Sequence, residues 1–150
     1  MKYFHNIIFT EFMKPEEDAH ALTQSFLSLF PFDLEKEKVK LETSISEGFE
    51  GKKITILKLV ITKDRLIKEF LSTLCDQLSD EDLHALRTQH NRLDEHLDFF
   101  LRLDKSSLSE GIWKLTDEGS CVHVKFSVAA FPKKMDAALE IPPLAFRKTL

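Results

Sequence analysis

The chain predicts an α+β fold, a largely antiparallel sheet with helices packed on one face, in the order β-α-β-β-α-α-β-β-β. Period-two alternation of apolar and polar residues recurs in separate stretches, as half-buried strands require. Two of those stretches are joined by a turn too short for a crossover, so they pair as a hairpin. Apolar residues at helical spacing fill the intervals, and their stripes need a sheet face to cover.

Residues 3–12, "YFHNIIFTEF", are apolar on both sides, as in a central strand. Pro15 suits a first helical position, and Glu16, Glu17 and Asp18 complement the helix dipole. Ala19, Leu22, Phe26, Leu29 and Phe30 then recur at helical spacing, so 15–30 reads as an amphipathic helix ended near Pro31. From Val39 the period falls to two: Leu41, Thr43, Ile45 and Phe49 alternate with Lys40, Glu42, Ser44 and Ser46. Residues 53–62, "KITILKLVIT", form a more buried partner across "EGFEGKK". Gly48 and Gly51 are expected to hold positive φ or a bulge there, placing Lys52 and Lys53 at an exposed strand entry.

Leu66, Ile67, Phe70, Leu71, Leu74 and Leu78 mark a helix over 63–78. Ser79 caps another, with Asp80, Glu81 and Asp82 in its first turn. Asp98–Asp104 alternates again. Phe99, Leu101 and Leu103 face inward, while Phe100 and Arg102 share the other side with Asp98 and Asp104. A brief strand is expected around Ile112–Leu115, then a turn and the strand "CVHVKFSVAAF", with Val122, Val124, Phe126 and Val128 inward and His123, Lys125 and Ser127 outward. Residues 1–150 read as a single domain, with 140–150 an extended C-terminal tail carrying adjacent prolines.

At 43% hydrophobic residues, 150 positions can build a core without staples. Thirteen Phe against one Tyr and one Trp favour a dry, Phe-packed interior. Cys75 and Cys121 lack paired metal-ligand spacing and read as buried small hydrophobes in a reducing compartment. The opening residues carry no cleavable signal and no apolar run reaches membrane-spanning length, so a cytoplasmic protein is expected. The net charge of −4 argues against a strong non-specific nucleic-acid binder while allowing a local basic patch.

Catalytic signatures are absent. There is no Gly-x-Ser-x-Gly and no phosphate-cradling glycine loop, and neither cysteine has a suggestively spaced histidine. Asp98 and Asp104 lie roughly 20 Å apart along one strand face, too far to share an ion. His84, His90 and His96 recur every sixth residue, which spreads them around a helix. No enzyme activity, cofactor or metal is expected. On the outward sheet face, Phe100 and Arg102 would neighbour His123 and Lys125 if their strands pair, and an aromatic among basic groups suits base stacking with phosphate contact. The plainer alternative is a solvated sheet face.

Phe100-Leu101-Arg102-Leu103-Asp104-Lys105, preceded by Arg92-x-Asp94, resembles the signature of an archaeal family described as RNA-binding proteins or predicted exosome subunits, whose equivalent stretch reads Tyr-Leu-Arg-Phe-Asp-Lys-Gln. Glu47-Gly48-Phe49-Glu50-Gly51 is similar to the family's Glu-Gly-His-x-Gly turn, and "VHVKFSVAAFP" to its terminal strand. The matches cover most of the chain in order. Departures are Phe100 for Tyr, Ser106 for Gln and His96 where Gly is common. The resemblance implies a fold similar to the ribosomal large-subunit protein that binds five-S rRNA. It also implies RNA as partner, within an RNA-processing, exosome or ribosome-related assembly. The expected RNA contacts are Arg92, Phe100, Arg102, Lys105, His123 and Lys125, with Lys52 and Lys53 at the hairpin. The rival class is a protein–protein adaptor with little or no RNA affinity, which the acidic balance favours.

Overall fold

The computed structural model describes residues 1–148. Its centre is β1 (Phe4–Met13), which pairs antiparallel with β3 (Lys53–Ile61) on one side and β5 (Cys121–Val128) on the other. β2 (Glu42–Glu47) extends the sheet beyond β3, and β4 (Asp98–Asp104) beyond β5. The five-stranded order is therefore β2-β3-β1-β5-β4. The fold is α+β, as expected, with the first strand of the chain in the middle of the sheet.

Alternation decides what each face carries. Ile7, Phe9 and Met13 of β1, Leu57, Leu59 and Ile61 of β3, Phe99, Leu101 and Leu103 of β4, and Val122, Val124 and Phe126 of β5 are all buried on one side. α1 (Ala19–Leu27) and α2 (Asp64–Gln77) cover that side with Phe26, Leu66, Phe70 and Leu74. α3 (Asp80–Thr88) adds Leu83 and Leu86. Two aromatic groups fill the interior. Phe9 meets Phe30 and Phe70 edge-on, each at 4.8 Å between ring centres. Phe126 packs on Phe4 at 4.8 Å and Phe146 at 5.6 Å.

Several elements differ from the sequence reading, each for a local reason. α1 begins at Ala19 rather than Pro15, because Asp18 accepts from the Ala21 N–H and sets the N-cap. β2 is exposed along its whole length: it lies at the sheet margin with only β3 beside it. The side chain of Phe49 lies outside the described residues. Residues 112–115 form no strand. Asp104 instead caps a short helix, α4 (Lys105–Ser109), and the returning chain makes a single bridge, Leu103 to Leu115. That return closes the outer edge of β4, with Asp104 N–H donating to Lys114 O and Thr116 N–H to Arg102 O. At its start, Leu93 bridges to Phe99 and Asp94 N–H donates to Asp98 O.

The expected extended tail folds back. α5 (Met135–Ala138) and α6 (Ile141–Ala145) bring Ile141, Pro142, Ala145 and Phe146 into the core. Pro142 and Pro143 sit in the first turn of α6, where a missing N–H costs no hydrogen bond. Arg87 Nη1 then holds the Phe146 carbonyl at 2.8 Å. The last two residues of the predicted tail, 149 and 150, lie outside the described residues.

Of the two hairpin glycines, Gly51 adopts φ +71°. Gly48 does not; there a Cβ would fall 2.7 Å from the Ile54 Cδ1 methyl, the movable end of a side chain, so the site is tight but backbone hand does not require glycine.

Two outcomes test this architecture. Phe126→Ala should cost about 3–5 kcal/mol, as for a large core aromatic, measured by chemical denaturation. Gly51→Val should cost about 1–3 kcal/mol despite open space around it, because valine strains at positive φ. A loss within about 0.5 kcal/mol in the latter would show that the turn relaxes freely.

Candidate nucleic-acid interface

Among the described residues, no helix covers the second face of the sheet. Pairing brings Phe100 of β4 opposite Lys125 of β5, which lies opposite Ile8 of β1 and then Val60 of β3. One row along, Arg102 lies opposite His123, followed by Thr10, Lys58 and Glu42. Side chains of one parity on directly paired residues share a face and sit about 5 Å apart. Phe100 and Arg102 are exposed at the margin, whereas His123 and Lys125 are half-buried between neighbouring strands. Pairing of β4 with β5 therefore brings together four of the residues selected from the sequence.

Arg92 stands at the rim of this group. Its Nη1 lies 3.4 Å from the Phe100 carbonyl oxygen, and its Nε donates to Gln89 Oε1 at 2.8 Å. Burial, with Arg102 adding to it, holds its pKa below the ordinary arginine value, while Asp117 and Asp82 oppose the shift. Arg102 reaches the Asp117 carbonyl through Nη1 at 3.2 Å. His123 is held below its ordinary pKa by burial first and by Arg102 second, so near neutral pH it offers chiefly an uncharged ring.

Lys105 is a correction. It lies beneath the sheet, buried, with Nζ donating to the Phe12 carbonyl at 2.7 Å and 3.3 Å from Glu17 Oε1. The Asp104 cap causes this: Ser107 N–H and Oγ–H both donate to Asp104 Oδ2, at 2.9 and 2.6 Å, turning the chain into α4 before Lys105 can continue the strand. These hydrogen bonds also hold the Asp104 carboxyl below the usual range. Lys105 is thus a brace between α4, β1 and the turn that leads into α1, not an exposed phosphate contact. Lys52 and Lys53 are exposed but distant. Lys53 lies seven residues, roughly 24 Å, along β3 from the row that holds Phe100.

Three residues that matter here were not selected from the sequence. Phe12 is 44% exposed on the open face, and its ring meets His123 edge-on at 5.8 Å. Lys58 is exposed in the same row as Arg102. Their parity was legible, but not the strand order that brings them beside β5. The third is Glu11. It occupies an inward position between Phe9 and Met13, is fully buried, and has no hydrogen-bond partner for either carboxylate oxygen among the described residues. Its only signal in the sequence is an acid at a core-parity position. Desolvation raises its pKa from 4.5 to about 7, with Lys105 opposing the shift and Glu17 adding to it.

Residues 6–128 match a family described as RNA binding. The chain belongs to that family. It is 31% identical over 137 residues to an RNA-binding protein of Pyrococcus abyssi, covering 91% of this chain and 89% of the relative. A DUF54 protein from Archaeoglobus fulgidus superposes with a TM-score of 0.80 at 25% identity, over 91% of this chain and 95% of that one. Another, from Methanothermobacter thermautotrophicus, gives 0.74 at 28% identity, over 92% and 94%. A UPF0201 protein from Methanococcus jannaschii, at 18% identity and a TM-score of 0.55 over 92% of both chains, shares the fold alone. The family assignment of the sequence reading thus holds at the level of RNA binding. Among the described residues no helix is long and apolar enough to cross a membrane.

Glu11 gives a pH test. A carboxyl with a folded pKa above its unfolded value leaves the protein most stable below pH 4.5, and that advantage is lost as pH rises through about 7. The loss should be on the order of 3 kcal/mol when complete. Glu11→Gln should flatten the dependence between pH 4.5 and about 7, the window those two values bound. Parallel denaturation curves for the two proteins across that window would show Glu11 to be uninvolved.

Proposed function

We propose that the protein binds RNA on the open face of its sheet, with Phe100 as a base-stacking plane and Arg102 and Lys125 as phosphate contacts. The carrying observation is that a 41%-exposed phenyl ring stands on an uncovered sheet face with Lys125 directly opposite and Arg102 next on the same side of its strand. A phenyl face accepts a base by stacking, and the flanking cations neutralise the adjoining phosphates. His123 contributes a ring surface between them, and Arg92 holds the strand edge at Phe100 while adding positive potential. The family membership and the relative from P. abyssi support the same reading.

The role is one of binding rather than catalysis. The Cys121 thiol lies 3.6 Å from His123 Nε2 on this face, but it is buried and burial raises its pKa, which disfavours the nucleophilic thiolate, and Glu11 lies on the opposite side of the sheet. The resemblance of the signature stretch extends the reading to an RNA-processing, exosome or ribosome-related assembly in the cytoplasm, where this protein would contribute RNA contacts alongside a protein partner. Lys52 and Lys53 at the hairpin tip would then contact a distant part of the same RNA or the partner itself.

Arg102→Ala and Lys125→Ala should each weaken binding to structured cellular RNA. Each should also reduce the slope of log affinity against log salt by about 0.7–0.9 per lost phosphate contact. Neither should move the unfolding midpoint appreciably, since both side chains lie on the open face. Filter binding across a salt series checks this. Unchanged retention and slope in both variants would favour the adaptor reading.

A further inference from the structure

Phe12 and Lys58 extend the open face beyond the β4–β5 pair, onto β1 and β3. We propose that the ligand is single-stranded RNA lying obliquely across the sheet from Phe100 on β4 to Phe12 on β1, with Lys58 on β3 taking a further phosphate. This inference rests on the open face being the RNA site.

The register supplies the path. Phe100 and Phe12 are two strands apart and displaced by two outward positions, a separation of about 17 Å at ordinary strand spacings. His123 lies between them, edge-on to Phe12 and directly opposite Arg102. The diagonal therefore runs phenyl, cation, imidazole, phenyl, with Lys125 beside its first member and Lys58 beyond its last. Lys58 makes no salt bridge among the described residues, so its ammonium is available to a phosphate. Beneath the sheet Lys105 holds the Phe12 carbonyl, fixing the backbone from which that ring projects.

Chemistry selects the strandedness. Exposed aromatic faces gain from bases that are free to leave one another, and in a duplex those faces are already stacked. The cations lie in a band with acids at its margins. Glu42 follows Lys58 at one end of the row, and Asp98 and Asp117 flank β4 at the other. Such a band follows one backbone and meets the second backbone of a duplex with like charge.

Fluorescence anisotropy tests this with labelled oligouridylate and oligoadenylate of about eight nucleotides, within the range of known single-strand platforms, and a blunt RNA duplex of equal length. Both single strands should bind more tightly than the duplex. Phe12→Leu, which keeps apolar volume but removes the plane, should weaken single-strand binding about fivefold or more. Lys58→Gln should weaken it and lower the salt slope by about 0.7. Thermal unfolding establishes that each variant is folded. Duplex binding as tight as single-strand binding overturns the proposal. So does wild-type affinity in Phe12→Leu or Lys58→Gln while Arg102→Ala weakens, an outcome that leaves the open-face reading standing. RNA binding unaffected by Arg102→Ala removes the open face itself, and absence of binding to the oligonucleotides and to structured RNA removes both.

Discussion

The alternation of side chains along β1, β5 and β4 is the constraint on which everything else rests. Phe9, Phe126 and Leu101 have nowhere to go but beneath the helices, and each fixes the direction of every other residue on its strand. Because the three strands are hydrogen-bonded in one register, the interior also determines which outward residues become neighbours. Phe100 meets Lys125, and Arg102 meets His123, as a consequence of how Phe99 and Leu101 pack. The open face inherits its geometry from the hydrophobic side, so a slip of one residue in β4 would bury Arg102 and expose Leu101.

This explains what the sequence made legible. β3, β4, β5, α2 and α3 follow from spacing because their apolar residues are unambiguous, and the inward and outward sets of β4 and β5 are read directly. Proximity across strands is different. It depends on strand order, and nothing in "YFHNIIFTEF" reveals that this segment lies between β3 and β5, which is why Phe12 and Lys58 emerge only in three dimensions. Lys105 was misplaced for a local reason. A five-residue helix shows too little periodicity to announce itself, and the Asp104–Ser107 cap that redirects the chain looks, in sequence, like continued alternation. Phe146 organised the tail by reaching Phe4, Phe99 and Phe126, contacts far away in sequence.

Among the described residues, the buried charged side chains are Glu11 and Lys105, which cluster with the partly buried Glu17. Lys105 is largely out of solvent yet satisfied, held by a backbone carbonyl and one carboxylate. Glu11 is buried without a hydrogen-bond partner, and neutralisation is the cheaper way to keep it there. With Glu11 protonated, Lys105 has a single acidic partner in Glu17. When Glu11 ionises, two carboxylates compete for one ammonium beneath the strand that carries Phe12. The signature lysine thus acts on the open face from below, through the position of a backbone rather than through contact with a ligand.

The closed margin of β4 has a consequence for how copies of this chain behave toward one another. Its outer backbone groups are engaged by residues 93–94 and 114–116, and the Phe100 carbonyl faces the guanidinium of Arg92. That side offers an incoming strand only an interrupted ladder. The opposite margin, β2, leaves its outer ladder unpaired, but Glu42 and Glu47 stand at its two ends, so a second copy approaching antiparallel would bring like charges together. Sheet-to-sheet polymerisation is discouraged by different means at the two ends, hydrogen bonding at one and charge at the other. The sheet face stays uncovered while strand addition at either margin is disfavoured.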